Sequence, residues 1–150
     1  MARRKFLSQL AALPFLSFLP SAAKAGEAKK PLKIMMKSAW GSDDPTRASF
    51  VFAHGLALAD AGHDVQVFLT GEATYLMRKV TADAIFPVAW PALSELRDKV
   101  VAKHIPVYAC GVCSRARGVS EADLATWGAK FGNPTIFVSL VEWADRIITE

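Results

Sequence analysis

Apolar positions along this chain fall in short continuous runs, separated by segments whose apolar residues recur at helical spacing. Leu32 to Lys37, with Ile34, Met35 and Met36 at its centre, runs nearly unbroken, as a strand covered on both faces does. The loop Ser38 to Ser42 leads into Asp43-Asp44-Pro45-Thr46, an acidic cap with a proline in the first turn. That start predicts a helix to Ala61 with Phe52, Leu56 and Ala59 on one face and Val51 and Leu58 beside them, stopped by Gly62. Val65 to Thr70 reads as a second strand, and after Gly71 a helix is predicted from Glu72 to Lys79. Ile85 to Pro91 fits neither period and reads as an apolar loop rich in aromatics and prolines.

Leu93, Leu96, Val100 and Val101 restore helical spacing between Pro91 and Lys103, and Pro106 opens a short strand that ends at Cys110. Ser120-Glu121-Ala122-Asp123 resembles a capping box and predicts a helix to Trp127. Phe131-Gly132-Asn133-Pro134 reads as a turn. Thr135 to Val138 then reads as a strand, Leu140 to Asp145 as a helix and Arg146 to Thr149 as a last strand. Strands alternating with helices imply right-handed crossovers and a mainly parallel sheet. The predicted class is α/β, a flavodoxin-like three-layer sandwich of about five strands with helices on both faces. In such sheets ligands bind beyond the C-terminal ends of the strands.

Composition changes the picture at the N-terminus. Residues 1–25 hold Arg3, Arg4 and Lys5, then an acid-free apolar run from Phe6 to Leu19, and end in Ala23-Lys24-Ala25, an A-x-A cleavage pattern. This reads as an export signal, with Gly26 to Pro31 as a short tether and one domain over residues 32–150. Arg3-Arg4-Lys5-Phe6-Leu7 resembles the twin-arginine consensus, with an ordinary Sec signal as the alternative. Pro14, Ser17 and Pro20 interrupt the run, which is shorter than the ~20 apolar residues of a membrane span. Either signal directs the chain to the periplasm or beyond, where a thiol pair is free to oxidise.

The leader carries four of the 18 basic residues and none of the 14 acidic ones, so the remaining chain has 14 of each and no formal net charge. The sequence pI of about 9.2 therefore comes mostly from the leader, and nucleic-acid or anionic-membrane binding loses its main support. The 52% hydrophobic content leaves ample apolar side chain for a core. No phosphate-binding glycine loop follows the first strand and no G-x-S-x-G elbow appears, so nucleotide, flavin and serine-hydrolase chemistry are disfavoured and no cofactor is implied.

The chemistry centres on Cys110 and Cys113, the chain's two cysteines, where the strand gives way to a loop through Gly111 and Gly118. Arg115 and Arg117 place cations within a few residues, and cations near a thiol raise its thiolate fraction. A structural disulfide or a simply buried cysteine is the alternative, although so short a loop stabilises little by chain entropy. Thiol-disulfide redox work and a metal site also remain open; for a metal, His63 and His104 would have to join the cysteine pair. His54, inside the first helix, reads as a surface or packing residue, and Met35 and Met36 as core rather than copper ligands.

Val107 to Val119, Val-Tyr-Ala-Cys110-Gly-Val-Cys-Ser-Arg-Ala-Arg-Gly118-Val, resembles the active-cysteine segment of the DsrE/DsrF-like family, which includes sulfur-relay proteins of sulfur oxidation and tRNA thiolation. Ala48 to Leu69, with the turn Asp60-Ala61-Gly62-His63, and Leu140 to Thr149 extend the likeness over nearly the whole chain after the leader. The resemblance implies that Cys110 receives sulfane sulfur as a persulfide and passes it on; Cys113 matches a position that is cysteine in only some members, and by thiol-disulfide chemistry it could release the sulfur as a disulfide forms. It implies protein or small-molecule sulfur donors and acceptors, and assembly as a trimer or paired trimers. It also implies that the first strand neighbours the cysteine strand, so that Ser42 and the backbone N–H groups of its loop would support an anion at the cysteines.

Overall fold

The computed structural model describes residues 30–150, so the predicted export signal and most of the predicted tether lie outside the described residues. Strand β1 (Lys33–Ser38) is followed by helix α1 (Pro45–Asp60), where the Asp44 carboxylate accepts the Arg47 N–H at 3.0 Å and Pro45 occupies the first turn. Gly62, at φ 87°, turns the chain into β2 (Asp64–Leu69). A 3-10 helix (Gly71–Met77) and the short α2 (Lys79–Asp83) stand where one helix is predicted. Helix α3 (Leu93–Ala102) leads to β3 (Val107–Cys110), and α4 (Gly111–Ala116) starts directly after Cys110. Helix α5 (Glu121–Ala125) carries the full capping box of Ser120 and Asp123. Strand β4 (Lys130–Gly132), α6 (Pro134–Trp143) and β5 (Arg146–Thr149) complete the domain.

All strands pair in parallel in the order β4-β3-β2-β1-β5. The cysteine strand β3 therefore lies between β2 and β4, not beside β1, which corrects the neighbourhood implied by the family resemblance. Two further readings need correction. The segment Thr135 to Val138 is helical: Asn133 Oδ1 accepts the Ile136 N–H at 2.9 Å and Pro134 fits the first turn, so a strong cap overrides the β-branched residues. The strand is instead Lys130 to Gly132, read from sequence as the start of a turn and held in the sheet by three pairings to β3. The predicted loop after Cys110 begins with a six-residue helix.

The two sheet faces are unequally covered. One packs Ile34, Met36, Val65, Val67, Val107 and Ala109 against α1, α3 and the segments between them, with Phe52 and Trp127 rings 4.6 Å apart. Each large apolar side chain buried there contributes about 1.5–3 kcal/mol relative to exposure. The other face holds a smaller cluster of Met35, Phe68 and Leu140, with Tyr108, Cys110 and Phe137 partly buried beside it. Adjacent Met35 and Met36 thus serve opposite faces, as core methionines. Alternation along β3 sends Val107 and Ala109 into the larger core and turns Tyr108 and Cys110 toward α6.

Candidate functional site

Cys110 ends β3 at the C-terminal edge of the sheet, on the face that α6 covers only in part. Its side chain lines a cleft of about 680 Å³ bounded by Phe68, Phe131 and Phe137 and by Lys37, Arg115 and Asn133. Two glycines permit this packing. A Cβ on Gly132 would stand 2.7 Å from Phe68 Cε2, and one on Gly111 would stand 3.2 Å from the Gly132 carbonyl oxygen. The aromatic wall therefore closes on the edge strand only with hydrogen at Gly132, and a side chain at Gly111 would have to push the Gly132 carbonyl aside by a few tenths of an ångström.

Cys113, one turn into α4, faces the C-terminal end of β2. Thr70 Oγ1 lies 3.7 Å from its sulfur. Both cysteines are free thiols and both are partly buried. Burial pushes the Cys113 thiol up, but hydrogen bonds from the Gly71 backbone, Cys110 and Thr70, with the Arg117 charge, together hold it below the ordinary cysteine value. Arg117 is fixed in turn. Its Nε donates to Glu72 Oε2 at 2.9 Å, its Nη1 donates to the Cys113 carbonyl at 3.0 Å, and a second bond joins it to Glu72. That pairing draws the Glu72 carboxyl below its usual range.

The site residues read from sequence separate into three positions. Cys110 and Arg115 line the cleft, Cys113 and Arg117 sit beside the 3-10 helix, and Ser42 is exposed on the loop after β1. Gly41, next to Ser42, abuts Glu72, where a Cβ would stand 2.7 Å from the Glu72 Cβ. Ser42 itself makes no hydrogen bond to either cysteine among the described residues. The residues missed are Thr70, Gly71 and Glu72 at the end of β2, and Lys37 and Phe137 in the cleft. Consecutive strands of an α/β sheet are usually neighbours, and that rule alone points to the end of β2. His63 and His104 precede β2 and β3 and share a surface hollow at the strands' N-terminal ends, across the sheet from the cysteines. Among the described residues no group of three or more His, Cys, Asp and Glu has metal-binding geometry.

His54 packs against Phe50 and Trp90 and its Nδ1 lies 2.7 Å from Glu150 Oε1.

A five-stranded parallel sheet with two thiols at its C-terminal edge defines a cysteine-bearing α/β domain. The family model described as the DsrE/DsrF-like family matches residues 33–149, and the chain belongs to that family. Members work in sulfur relay with partner proteins, so membership indicates a relay type of function. Among similar proteins, an uncharacterized protein of Methanopyrus kandleri is 29% identical over 102 residues, covering 68% of this chain and 80% of its own. Another, of Methanocaldococcus jannaschii, is 30% identical over 88 residues, covering 59% and 73%. The ychN protein of E. coli has the same fold, with TM-score 0.65 and 17% identity over 81% of this chain and all of that one. A conserved protein of unknown function from Bacteroides thetaiotaomicron superposes with TM-score 0.58 at 12% identity, covering 79% and 94%. None of the helices among the described residues is long and apolar enough to cross a membrane.

Proposed function

We propose that the protein is a sulfur carrier that loads sulfane sulfur on Cys110 as a persulfide and delivers it to an acceptor. The observation that carries this reading is the placement of Cys110 in an open cleft at the sheet edge, with a second thiol three residues on that, despite burial, Gly71, Thr70 and Arg117 hold below the ordinary cysteine value. In loading, the Cys110 sulfur attacks the donor's terminal sulfur, and the bond from that sulfur to the rest of the donor breaks. Cys110 reacts as the thiolate, and the electron pair leaves with the departing fragment. In delivery, an acceptor thiolate attacks the outer sulfur and Cys110 leaves as thiolate. Cys113 offers a second exit by attacking the inner sulfur, which expels hydrosulfide and forms a Cys110–Cys113 disulfide that a dithiol reductant must reopen.

The contact between Cys113 and Cys110 also favours a second reading, thiol-disulfide exchange without sulfane sulfur. Intact mass after incubation with a sulfane-sulfur donor separates the two. Carriage adds one sulfur, about 32 Da, whereas simple oxidation removes about 2 Da.

We further propose that the mature chain works in the periplasm after cleavage at Ala25, exported by the twin-arginine route, and assembles as a trimer or paired trimers. Zero formal net charge after the leader supports assembly, as does the irregular segment 85–91, where Phe86 and Val88 are 70% and 85% exposed.

A further inference from the structure

The cleft beside Cys110 has a composition that sulfur carriage alone does not require. It is lined by two cationic side chains, Lys37 from β1 and Arg115 from α4, and by no acidic one. Among the described residues neither cation is engaged in an ion pair, whereas Arg117, behind the same helix, is bound to Glu72. Lys37 is half-buried and Arg115 exposed, and cations left without a counter-charge on the wall of a concave site are arranged for an anion from outside. The rest of the wall is aromatic. Phe68 and Phe137 pack edge to face with centroids 5.2 Å apart, and Phe131 closes the β4 side.

Size narrows the class. At about 30 Å³ per water, an inorganic oxyanion such as thiosulfate fills on the order of 100 Å³. The cleft of about 680 Å³ falls instead in the roughly 300–1,000 Å³ range of small-molecule sites, whose walls are mostly apolar with a few placed polar groups.

We propose that this cleft binds a small organic anion with an apolar body, its charged head met by Lys37 and Arg115 and its body by the three phenylalanines. Resting on the reading of Cys110 as the sulfur acceptor, the ligand is the donor: an organic sulfane-sulfur anion of the thiosulfonate class. The transfer balances without further reactants. The Cys110 thiolate bonds to the terminal sulfur of the thiosulfonate, the bond between that sulfur and the sulfonyl sulfur breaks, and the pair leaves on a sulfinate. Two negative charges enter and two remain, on the persulfide and the sulfinate. Lys37 and Arg115 offset the repulsion between two like-charged reactants, and the phenylalanines select an organic body over a bare oxyanion.

Binding is tested apart from chemistry with benzenesulfonate, which has no transferable sulfur, titrated calorimetrically into the Cys110→Ser protein with sulfate as comparator. Benzenesulfonate is expected to bind at least tenfold more tightly than sulfate. Lys37→Gln and Arg115→Gln should each weaken it roughly tenfold, the worth of a charge-assisted hydrogen bond, with unchanged circular dichroism. Phe137→Ala should weaken benzenesulfonate and leave sulfate unaffected. Equal affinity for the two anions, or indifference to both glutamine substitutions, would overturn the site. A second arm offers benzenethiosulfonate to the protein with both cysteines and reads its mass. Binding without sulfur gain from benzenethiosulfonate removes the donor role but keeps an organic-anion site, and the carrier reading falls only if a protein persulfide donor also adds no sulfur. Sulfur gain from a protein persulfide donor, with no benzenesulfonate binding, removes the site and keeps the carrier.

Discussion

Thr70 Oγ1 lies 3.7 Å from Cys113 Sγ, which ties the second thiol of the pair to the end of the neighbouring strand β2. Gly71 adds a backbone donor and Arg117 a charge, and the sum holds the Cys113 thiol below its ordinary value despite burial. A lowered thiol pKa leaves thiolate present above it and lost only as pH falls through it. In the Cys110→Ser protein, alkylation of Cys113 should therefore persist to lower pH than for a free cysteine, whose pKa is about 8.5. Thr70→Val removes one hydrogen-bonding group, and the alkylation rate at neutral pH should fall about three- to tenfold, equivalent to about 0.5–1.5 kcal/mol. An unchanged pH profile would show that the hydroxyl does not act on the sulfur.

Replacing Cys110 by serine should abolish the mass gain of one sulfur while leaving the fold and its melting transition intact, because the residue borders an open cleft. Cys113→Ala should keep the adduct and lengthen its life, since the internal route to hydrosulfide is lost. Sulfur found on the Cys110→Ser protein would move the acceptor role to Cys113.

Gly132→Ala should destabilise the domain by about 1–3 kcal/mol, because the new methyl overlaps the ring of Phe68, itself buried at 5% exposure. Phe68→Leu in the same chain should recover part of that loss in urea denaturation. An additive double variant would place the strain elsewhere.

Export should depend on the paired arginines. Substituting Arg3 and Arg4 by lysine should leave the protein uncleaved inside the cell, seen as a band heavier by the 25-residue leader; continued export would assign the Sec route.

Assembly should depend on the exposed apolar segment. Val88→Asp, at 85% exposure, should lower the mass seen by light scattering without reducing helical signal, whereas a monomer mass for the unaltered protein across dilution would dispose of the oligomer. Trp90 is a poorer probe because it packs on Phe50 at 5.4 Å and on His54.

Local physics made much of this protein legible in its sequence. Asp44-Pro45 and Ser120 to Asp123 announce helix starts because a cap satisfies N–H groups within a few residues, and unbroken apolar runs announce buried parallel strands. Cys110 at a strand tip followed from Pro106 and Gly111 in the same way. Where two local signals competed, sequence reading failed: the branched side chains Thr135, Ile136 and Val138 suggested a strand, and the Asn133 cap with Pro134 won. Strand order was decided only by tertiary packing, because pairing between β3 and β2 leaves no mark within either segment. That order brought Thr70 and Glu72 to the cysteines and left Ser42 aside. It also aligned Lys37 with Phe68 across the sheet, and so placed a lysine 73 residues from Cys110 on one cleft wall with it.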